Sequence, residues 1–198
     1  MGKRALIFDF NKKINSITIL KKYIFSVLLL SFSFSQRLTH TEVFNNGNIK
    51  NITTYKKKKN RVAKVKYEEY FENGQKYSQS LFDSDEVNGL MTFWYQNGQK
   101  KEEATYKNGI ETGIHSWWYE NGNLKSKGSF NDGLPNGLWV YWYKSGQKSG
   151  EGVLKNGKQD GLVTEWHQNG KVAEERIYKS GKFLSKIEWD DEGNIKRK

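Results

Sequence analysis

The sequence predicts an all-β fold, an elongated twisted sheet of successive antiparallel β-hairpins that forms an open-ended repeat array. Three kinds of landmark recur in phase every 24 residues, a first glycine, a tryptophan and a second glycine: Gly89, Gly113, Gly137 and Gly161; Trp94, Trp118, Trp142 and Trp166; Gly98, Gly122, Gly146 and Gly170. A fixed period in this range is typical of arrays in which each unit buries its apolar face against the next.

One unit is predicted to be one hairpin with two glycine turns. Between Gly113 and Asn136, the turn signals Glu120-Asn121-Gly122 and Asn131-Asp132-Gly133 bracket runs rich in aromatic residues, Thr and Ser. Asn-Gly and Asp-Gly accept positive φ at low cost and favour tight turns between strands. A helix is disfavoured because no 3.6-residue apolar stripe persists and each interior glycine would cost about 1 kcal/mol.

Aligning the units gives columns of residues on each face of the strands. One face is expected to pack, with its tryptophans covering small residues of the return strand such as Ala104, Gly128 and Gly152. Three columns make up this face: Leu90, Ile114, Leu138 and Leu162; Thr92, Ser116, Val140 and Thr164; and Trp94, Trp118, Trp142 and Trp166. The alternate face stays aromatic, with columns Met91, His115, Trp139 and Val163; Phe93, Trp117, Tyr141 and Glu165; and Tyr95, Tyr119, Tyr143 and His167. Both sets follow from the two-residue period of a strand.

Residues 1–35 differ in composition from the rest and predict a signal peptide or an N-terminal anchor. Lys21 and Lys22 precede an apolar run from Tyr23 to Phe34, with small residues before Gln36. This order is typical of export signals, and the run is shorter than the ~20 residues that span a bilayer. The protein is therefore expected to be exported, to a periplasmic, outer-membrane-associated or extracellular location.

The net charge of +11 comes from two segments rather than from the repeats. Residues 36–198 hold 27 basic and 21 acidic residues, a charge of +6, and residues 50–66 alone contribute +8. The repeat body is therefore slightly acidic, which argues against a nucleic-acid partner. Lys56 to Lys59 are expected to form a solvated basic loop.

Hairpin tips continue beyond the four clear units. Phe44-Asn45-Asn46-Gly47 matches the tip at Gly122, so residues 36–66 are expected to form a degenerate first hairpin with the basic insertion, and residues 67–198 the 24-residue hairpin repeats. Seven tips are predicted, at Gly47, Gly74, Gly98, Gly122, Gly146, Gly170 and Gly193. Open edge strands at both ends would permit self-association.

The sequence offers no catalytic, cofactor-binding or metal-binding residue. There is no cysteine, which excludes disulfides, thiolate metal sites and a cysteine nucleophile. The three histidines stand singly, and no HExxH, GxSxG, P-loop or EF-hand pattern occurs. The protein is therefore not expected to be an enzyme or to carry a cofactor.

The pattern GxWxxYxNGxxxxxGxYxxGxxxG, visible from Gly137 to Gly161 and in its neighbours, resembles the MORN-variant repeat family, which includes YwqK-type antitoxin proteins. The resemblance covers roughly residues 41–195 and implies a sheet of hairpins without enzymatic activity, used for binding or scaffolding. An antitoxin of that kind would be cytoplasmic, whereas this chain carries an export pattern.

Rings at regular intervals on the alternate face form the candidate binding face: Tyr95, Trp117, Tyr119, Trp139, Tyr141 and Tyr143. They suit an apolar protein partner, the sugars of an envelope glycan or lipid headgroups, although packing across hairpins would also account for them. The function expected is an exported, non-catalytic protein-binding or envelope-scaffold role, which includes an immunity-like role. The alternative is a surface module that binds glycan or lipid headgroups.

Overall fold

The computed structural model describes residues 37–58 and 60–196, and within these ranges every regular element is a β-strand. The strands are β1 (Arg37–Val43), β2 (Ile49–Lys58), β3 (Arg61–Tyr70), β4 (Lys76–Asp83), β5 (Glu86–Trp94), β6 (Lys100–Lys107), β7 (Ile110–Trp118), β8 (Leu124–Asn131), β9 (Leu134–Pro135), β10 (Gly137–Trp142), β11 (Lys148–Lys155), β12 (Lys158–Trp166), β13 (Val172–Lys179) and β14 (Lys182–Glu188). The predicted signal segment lies outside the described residues.

The strands form one antiparallel sheet in which spatial order follows chain order. The path runs from β1 to β14, and the two-residue β9 pairs with β8 beside it. This confirms the predicted open sheet of successive hairpins. The sheet has uncovered edges at β1 and β14 among the described residues, and self-association through these edges stays a prediction.

Tip turns and connecting turns join the strands, and most contain the predicted glycine; the turn between β4 and β5 uses Ser84 and Asp85, both with positive φ. At each tip the chain closes a four-residue loop, as where the Gly98 amide donates to the Tyr95 carbonyl over 2.9 Å, and Gly98 has a φ of 84°. Asn97 fixes its own tip by accepting from the Gln99 amide and donates from Nδ2 to the Glu120 carbonyl of the next tip over 2.7 Å. The connecting turns use pairs such as Asn156-Gly157, both with positive φ, which suits a two-residue hairpin turn.

Large and small side chains alternate along a row that crosses the sheet. His115 pairs with Ala104 on one side and Gly128 on the other, and Trp139 and Val163 both pair with Gly152. A Cβ atom added at Gly128 would fall 2.2 Å from the Trp139 ring, so that glycine is required by packing. The face that bears this row is called the aromatic face below. Its rings pack over the small residues of the neighbouring strands.

The predicted packed face is buried only in part. Thr92, Ser116 and Thr164 on that face are 3%, 7% and 8% exposed, as expected, but its aliphatic column is open to solvent. Leu90, Ile114, Leu138 and Leu162 are 38%, 53%, 53% and 49% exposed, whereas His115 and Trp139 on the alternate face are 3% and 7% exposed. The cause is a bulge at each tip. Trp118 pairs with Leu124 while Trp117 pairs with Ser126, so one extra residue on the return strand turns Gly128 toward His115 instead of Ile114.

The basic stretch is not a loop, contrary to the prediction. Lys56 and Lys57 lie in β2 and pair with Ala63 and Val62 in β3. The insertion therefore lengthens these two strands to ten residues each instead of adding a loop between hairpins.

Candidate functional site

Three of the four tyrosines of the candidate binding face brace one hairpin against the next. The hydroxyl groups of Tyr95, Tyr119 and Tyr143 donate to the backbone carbonyls of Trp118, Trp142 and Trp166 over 2.8, 2.8 and 2.6 Å. His167 continues the series with Nε2 at 3.0 Å from the Trp189 carbonyl oxygen. These half-buried rings therefore have a structural task at the end of each forward strand, where a carbonyl would otherwise lack a partner.

Replacing Tyr119 with phenylalanine is expected to destabilise the protein by about 1 kcal/mol, because it removes one hydrogen bond and leaves the Trp142 carbonyl unpaired. Denaturant unfolding measures the change. Tyr141→Phe is the matched control, since the Tyr141 hydroxyl has no hydrogen-bond partner among the described residues. Equal losses in the two variants would contradict the bracing role of Tyr119.

The other members of the candidate face form an aromatic cluster at the centre of the sheet. The Trp117 ring stacks on His115 with centroids 3.7 Å apart, and Trp139 contacts Trp117 at 5.7 Å and Phe130 at 5.4 Å. Trp139 is buried, whereas Tyr141 is 44% exposed. Of the six candidate residues, Tyr141 thus presents the most open ring, and Trp139 serves the core.

His115 is buried between the aromatic rings and two carboxylates. Its Nε2 lies 2.9 Å from Glu102 Oε1, and its Nδ1 lies 3.8 Å from Glu111 Oε1. The Tyr106 hydroxyl donates to the same Glu111 oxygen over 2.9 Å. Burial, followed by the hydrogen bond to the Glu111 carboxylate, raises the pKa of Tyr106 to about 12. His115 therefore lies buried, with its two ring nitrogens directed at partly exposed carboxylates.

Tyr106 is expected to make stability depend on pH at the alkaline end. Its pKa in the folded protein, about 12, exceeds the ordinary value of 10.0, so its stabilising contribution is fully present below pH 10.0 and is lost as pH rises toward 12. The denaturation midpoint of the natural protein should therefore fall more steeply over this interval than that of Tyr106→Phe. Parallel curves for the two proteins would contradict the shifted pKa.

The opposite face of the sheet carries an exposed row of aliphatic side chains. Six residues make up this aliphatic stripe: Leu90, Ile114, Leu138, Val153, Leu162 and Ile177. Leu138 pairs with Val153 and Leu162 with Ile177, so the row is continuous within these two hairpins. In the two preceding hairpins Leu90 pairs with Thr105 and Ile114 with Ser129, so a hydroxyl side chain follows each aliphatic one. Contiguous exposed apolar surface of this kind typically marks an interaction site. The sequence analysis missed this site because it assigned the same column to the packed interior.

Charged side chains flank the stripe differently on its two sides. Toward the tips, Glu103 and Glu151 share this face and form ion pairs with Lys100 and Lys148 at 2.5 and 2.8 Å. These two lysines also lie 5.6 and 5.2 Å from the ring centroids of Trp118 and Trp166. Toward the connecting turns, strand alternation places Lys107, Lys155 and Lys179 on the stripe's side. The stripe therefore has one flank of ion pairs and one basic flank.

Neither a metal site nor a membrane helix is found in the part of the chain that the structure describes. No group of three or more His, Asp or Glu residues there could hold a metal ion. No helix long and apolar enough to cross a membrane occurs in those residues.

Comparison with known families gives a match to part of the repeat array. The family model described as MORN repeat variant matches four segments, residues 65–84, 87–108, 111–132 and 159–180. Each segment begins within a strand and ends in or beside the connecting turn that follows the return strand, so it corresponds to one hairpin. No curated protein matches the chain.

Proposed function

We propose that this chain, as a carrier of four MORN-variant repeats, is a non-catalytic protein that binds another protein through the aliphatic stripe. MORN repeats are generally associated with protein or membrane binding. The observation that carries the proposal is the row of aliphatic residues left half-exposed at 24-residue intervals, at the same position of four successive forward strands. Repeated exposure of this kind is costly in water unless a partner covers it.

The spacing of the stripe fits an amphipathic helix laid across the strands. Leu90, Ile114, Leu138 and Leu162 lie on alternate strands of the path, two strand spacings apart or about 9.6 Å. Seven residues of an α-helix, about two turns, rise about 10.5 Å. A helix with an apolar residue at every seventh position would therefore contact one of these four residues every two turns. We therefore expect the partner to supply such a helix.

The charges beside the stripe favour a protein over a lipid surface. On the flank toward the tips, Lys100 and Lys148 form ion pairs with Glu103 and Glu151. Lys127 has no ion pair there, but Glu175 balances its charge, so this flank offers no net positive charge to anionic headgroups. A partner helix with acidic residues on one side only would complement the basic flank at Lys107, Lys155 and Lys179. This asymmetry would also fix the direction of the helix.

Site-specific photocrosslinking tests the proposal within one strand. A crosslinking amino acid at Leu138 sits on the stripe, and one at Tyr141 sits on the opposite face of β10 with similar exposure, 53% against 44%. We expect one protein to be crosslinked from position 138 and not from 141, and its capture to be lost in Ile114→Asp. Crosslinking to lipid alone from position 138, or no crosslink at all, would contradict the proposal.

We also propose that the chain is exported, so its partner should be found in the cell envelope or outside the cell. The basic and apolar segments of residues 1–35 support it. N-terminal sequencing of the expressed full chain should find a start at Gln36 in an exported fraction. Retention of Met1 in the cytoplasmic fraction would contradict export and would favour the narrower, antitoxin-like form of the binding proposal.

A further inference from the structure

A groove runs along the aromatic face over two glycines of β11. Gly150 and Gly152 form its floor, Trp139 and Tyr141 form one wall, and Glu165 and Arg176 form the other. Its volume is about 500 Å³, within the range of sites that hold small ligands. The groove lies on the opposite face from the aliphatic stripe, so it is separate from the proposed protein-binding surface.

Gly150 is not explained by the fold. Its φ is not positive, so the backbone does not require glycine there. A Cβ atom added at Gly150 would meet its nearest neighbours, Thr164, Glu165 and Tyr141, only at ordinary contact distances of 3.6 to 3.7 Å. Gly128 and Gly152 differ, since an added Cβ would approach Trp139 to 2.2 Å and Val163 to 2.9 Å.

The other return strands fill the position that Gly150 leaves open. The residues that pair with the corresponding column of the forward strands are Ser78, Glu102, Ser126 and Glu174. Each of these has a side chain that would occupy the floor between the two walls. The bare backbone at Gly150 therefore makes a groove in this hairpin where its neighbours have a filled surface.

The groove combines an open aromatic ring with paired polar groups. Tyr141 borders it with a 44% exposed side chain whose hydroxyl has no hydrogen-bond partner among the described residues. On the other wall, Arg176 Nη2 donates to Glu165 Oε1, and Arg176 Nε lies 3.0 Å from Glu174 Oε1. Hydrogen-bond donors and acceptors thus stand side by side, and the two carboxylates outnumber the one guanidinium.

We propose that the groove over Gly150 is a binding site for a neutral saccharide. A pyranose ring presents a face of C–H bonds with partial positive charge, which is attracted to the negative face of an aromatic ring such as Tyr141. Adjacent sugar hydroxyls can donate to Glu165 and accept from Arg176 at once. An acidic sugar would be repelled, because the site carries an excess of carboxylate.

Binding of neutral hexasaccharides to the full chain tests the site. The probes are cellohexaose, maltohexaose and a β-1,3-glucan hexamer, with hexagalacturonic acid as the acidic comparator, studied by saturation-transfer NMR and calorimetry. We expect at least one neutral probe to bind with a Kd of about 0.1–1 mM, as for a small, open site. We expect Gly150→Gln and Tyr141→Ala to weaken that binding at least about tenfold.

The controls separate the site from the fold. Phe93→Ala changes the same column in β5, away from the groove, and should leave sugar binding unchanged. Gly150→Ser places at this position the residue found at Ser78 and Ser126, so it should fold and still weaken binding. The proposal is overturned if no neutral probe binds, if the acidic comparator binds as tightly, or if the folded Gly150→Gln and Gly150→Ser variants both bind like the natural protein. A failure of crosslinking from position 138 would contradict only the proposed protein binding, because the aliphatic stripe lies on the other face of the sheet, and it would not affect the sugar-binding result.

Discussion

Replacing Gly128 with alanine is expected to destabilise the protein by about 2–3 kcal/mol, although alanine ordinarily suits a strand better than glycine. The added Cβ would fall 2.2 Å from Cδ2 and Cε2 of Trp139, a distance that the ring can relieve only by leaving its place. Trp139 in turn contacts Trp117, Phe130 and Tyr141, so its displacement disturbs three further rings.

Chemical denaturation monitored by tryptophan fluorescence measures this effect. Gly150→Ala is the matched control, because Gly150 occupies the adjacent return strand and an added Cβ would meet only ordinary contacts there. The control should be neutral or stabilised by up to about 1 kcal/mol, since alanine restricts the unfolded chain. A Gly128→Ala protein as stable as its control would show that Trp139 does not lie over Gly128.

Replacing Trp139 with alanine is expected to cost about 3–4 kcal/mol, because the side chain is 7% exposed and links the central hairpins across the aromatic face. Few of the described residues are buried apolar side chains, namely Ala63, Ala104, Trp139 and Val163. A single-layer sheet has no second layer to collapse into the space left by the indole. Thermal or denaturant unfolding of the variant measures the loss.

The double variant gives a sharper result than either change alone. Without the Trp139 indole, the Cβ atom that Gly128→Ala adds no longer has a steric clash. The double variant Gly128→Ala/Trp139→Ala should therefore be no less stable than Trp139→Ala. The two changes are then strongly non-additive, with a coupling energy near the whole cost of Gly128→Ala. Costs that simply add would contradict the direct contact between these two residues.

The hairpin array could be predicted from the sequence because its signals are local and repeated. All seven predicted tip glycines, from Gly47 to Gly193, have positive φ, and so do the predicted turn residues Asp132 and Gly133. A turn of this kind needs only two to four residues, and no distant contact decides it. Repetition then removes the ambiguity that a single hairpin would have.

The choice of faces could not be predicted because it depends on one residue at each tip. Both faces of the forward strands carry large apolar columns, so hydrophobic alternation alone does not distinguish them. The bulge that places Lys125 between the paired residues Leu124 and Ser126 reverses which face receives Gly128. Bulges of this type leave only a weak mark in the sequence, and a shift of one residue turns a whole strand over.

The candidate binding face was only partly informative for the same reason. Tyr95, Tyr119 and Tyr143 repeat because each braces the next hairpin, and Trp139 is buried in a core row. Tyr141 is the member with an open ring and a free hydroxyl in the described part of the chain. The residues that repeat at a regular period have structural roles, and the proposed saccharide site lies where Gly150 departs from that period.

An open ribbon, rather than a folded-back globule, is what leaves both faces of the sheet accessible to the proposed protein partner and the proposed saccharide. The distance between β1 and β14 tests this most directly. The chain has no cysteine, so Thr41→Cys and Ile187→Cys would give two unique sites for spin labels on the edge strands. Twelve strand spacings separate these strands along the path, about 58 Å before twist and curvature shorten the span. Pulsed electron spin resonance should give a distance of about 45–58 Å. A distance below about 30 Å, as in a compact globule or a closed barrel, would contradict the account.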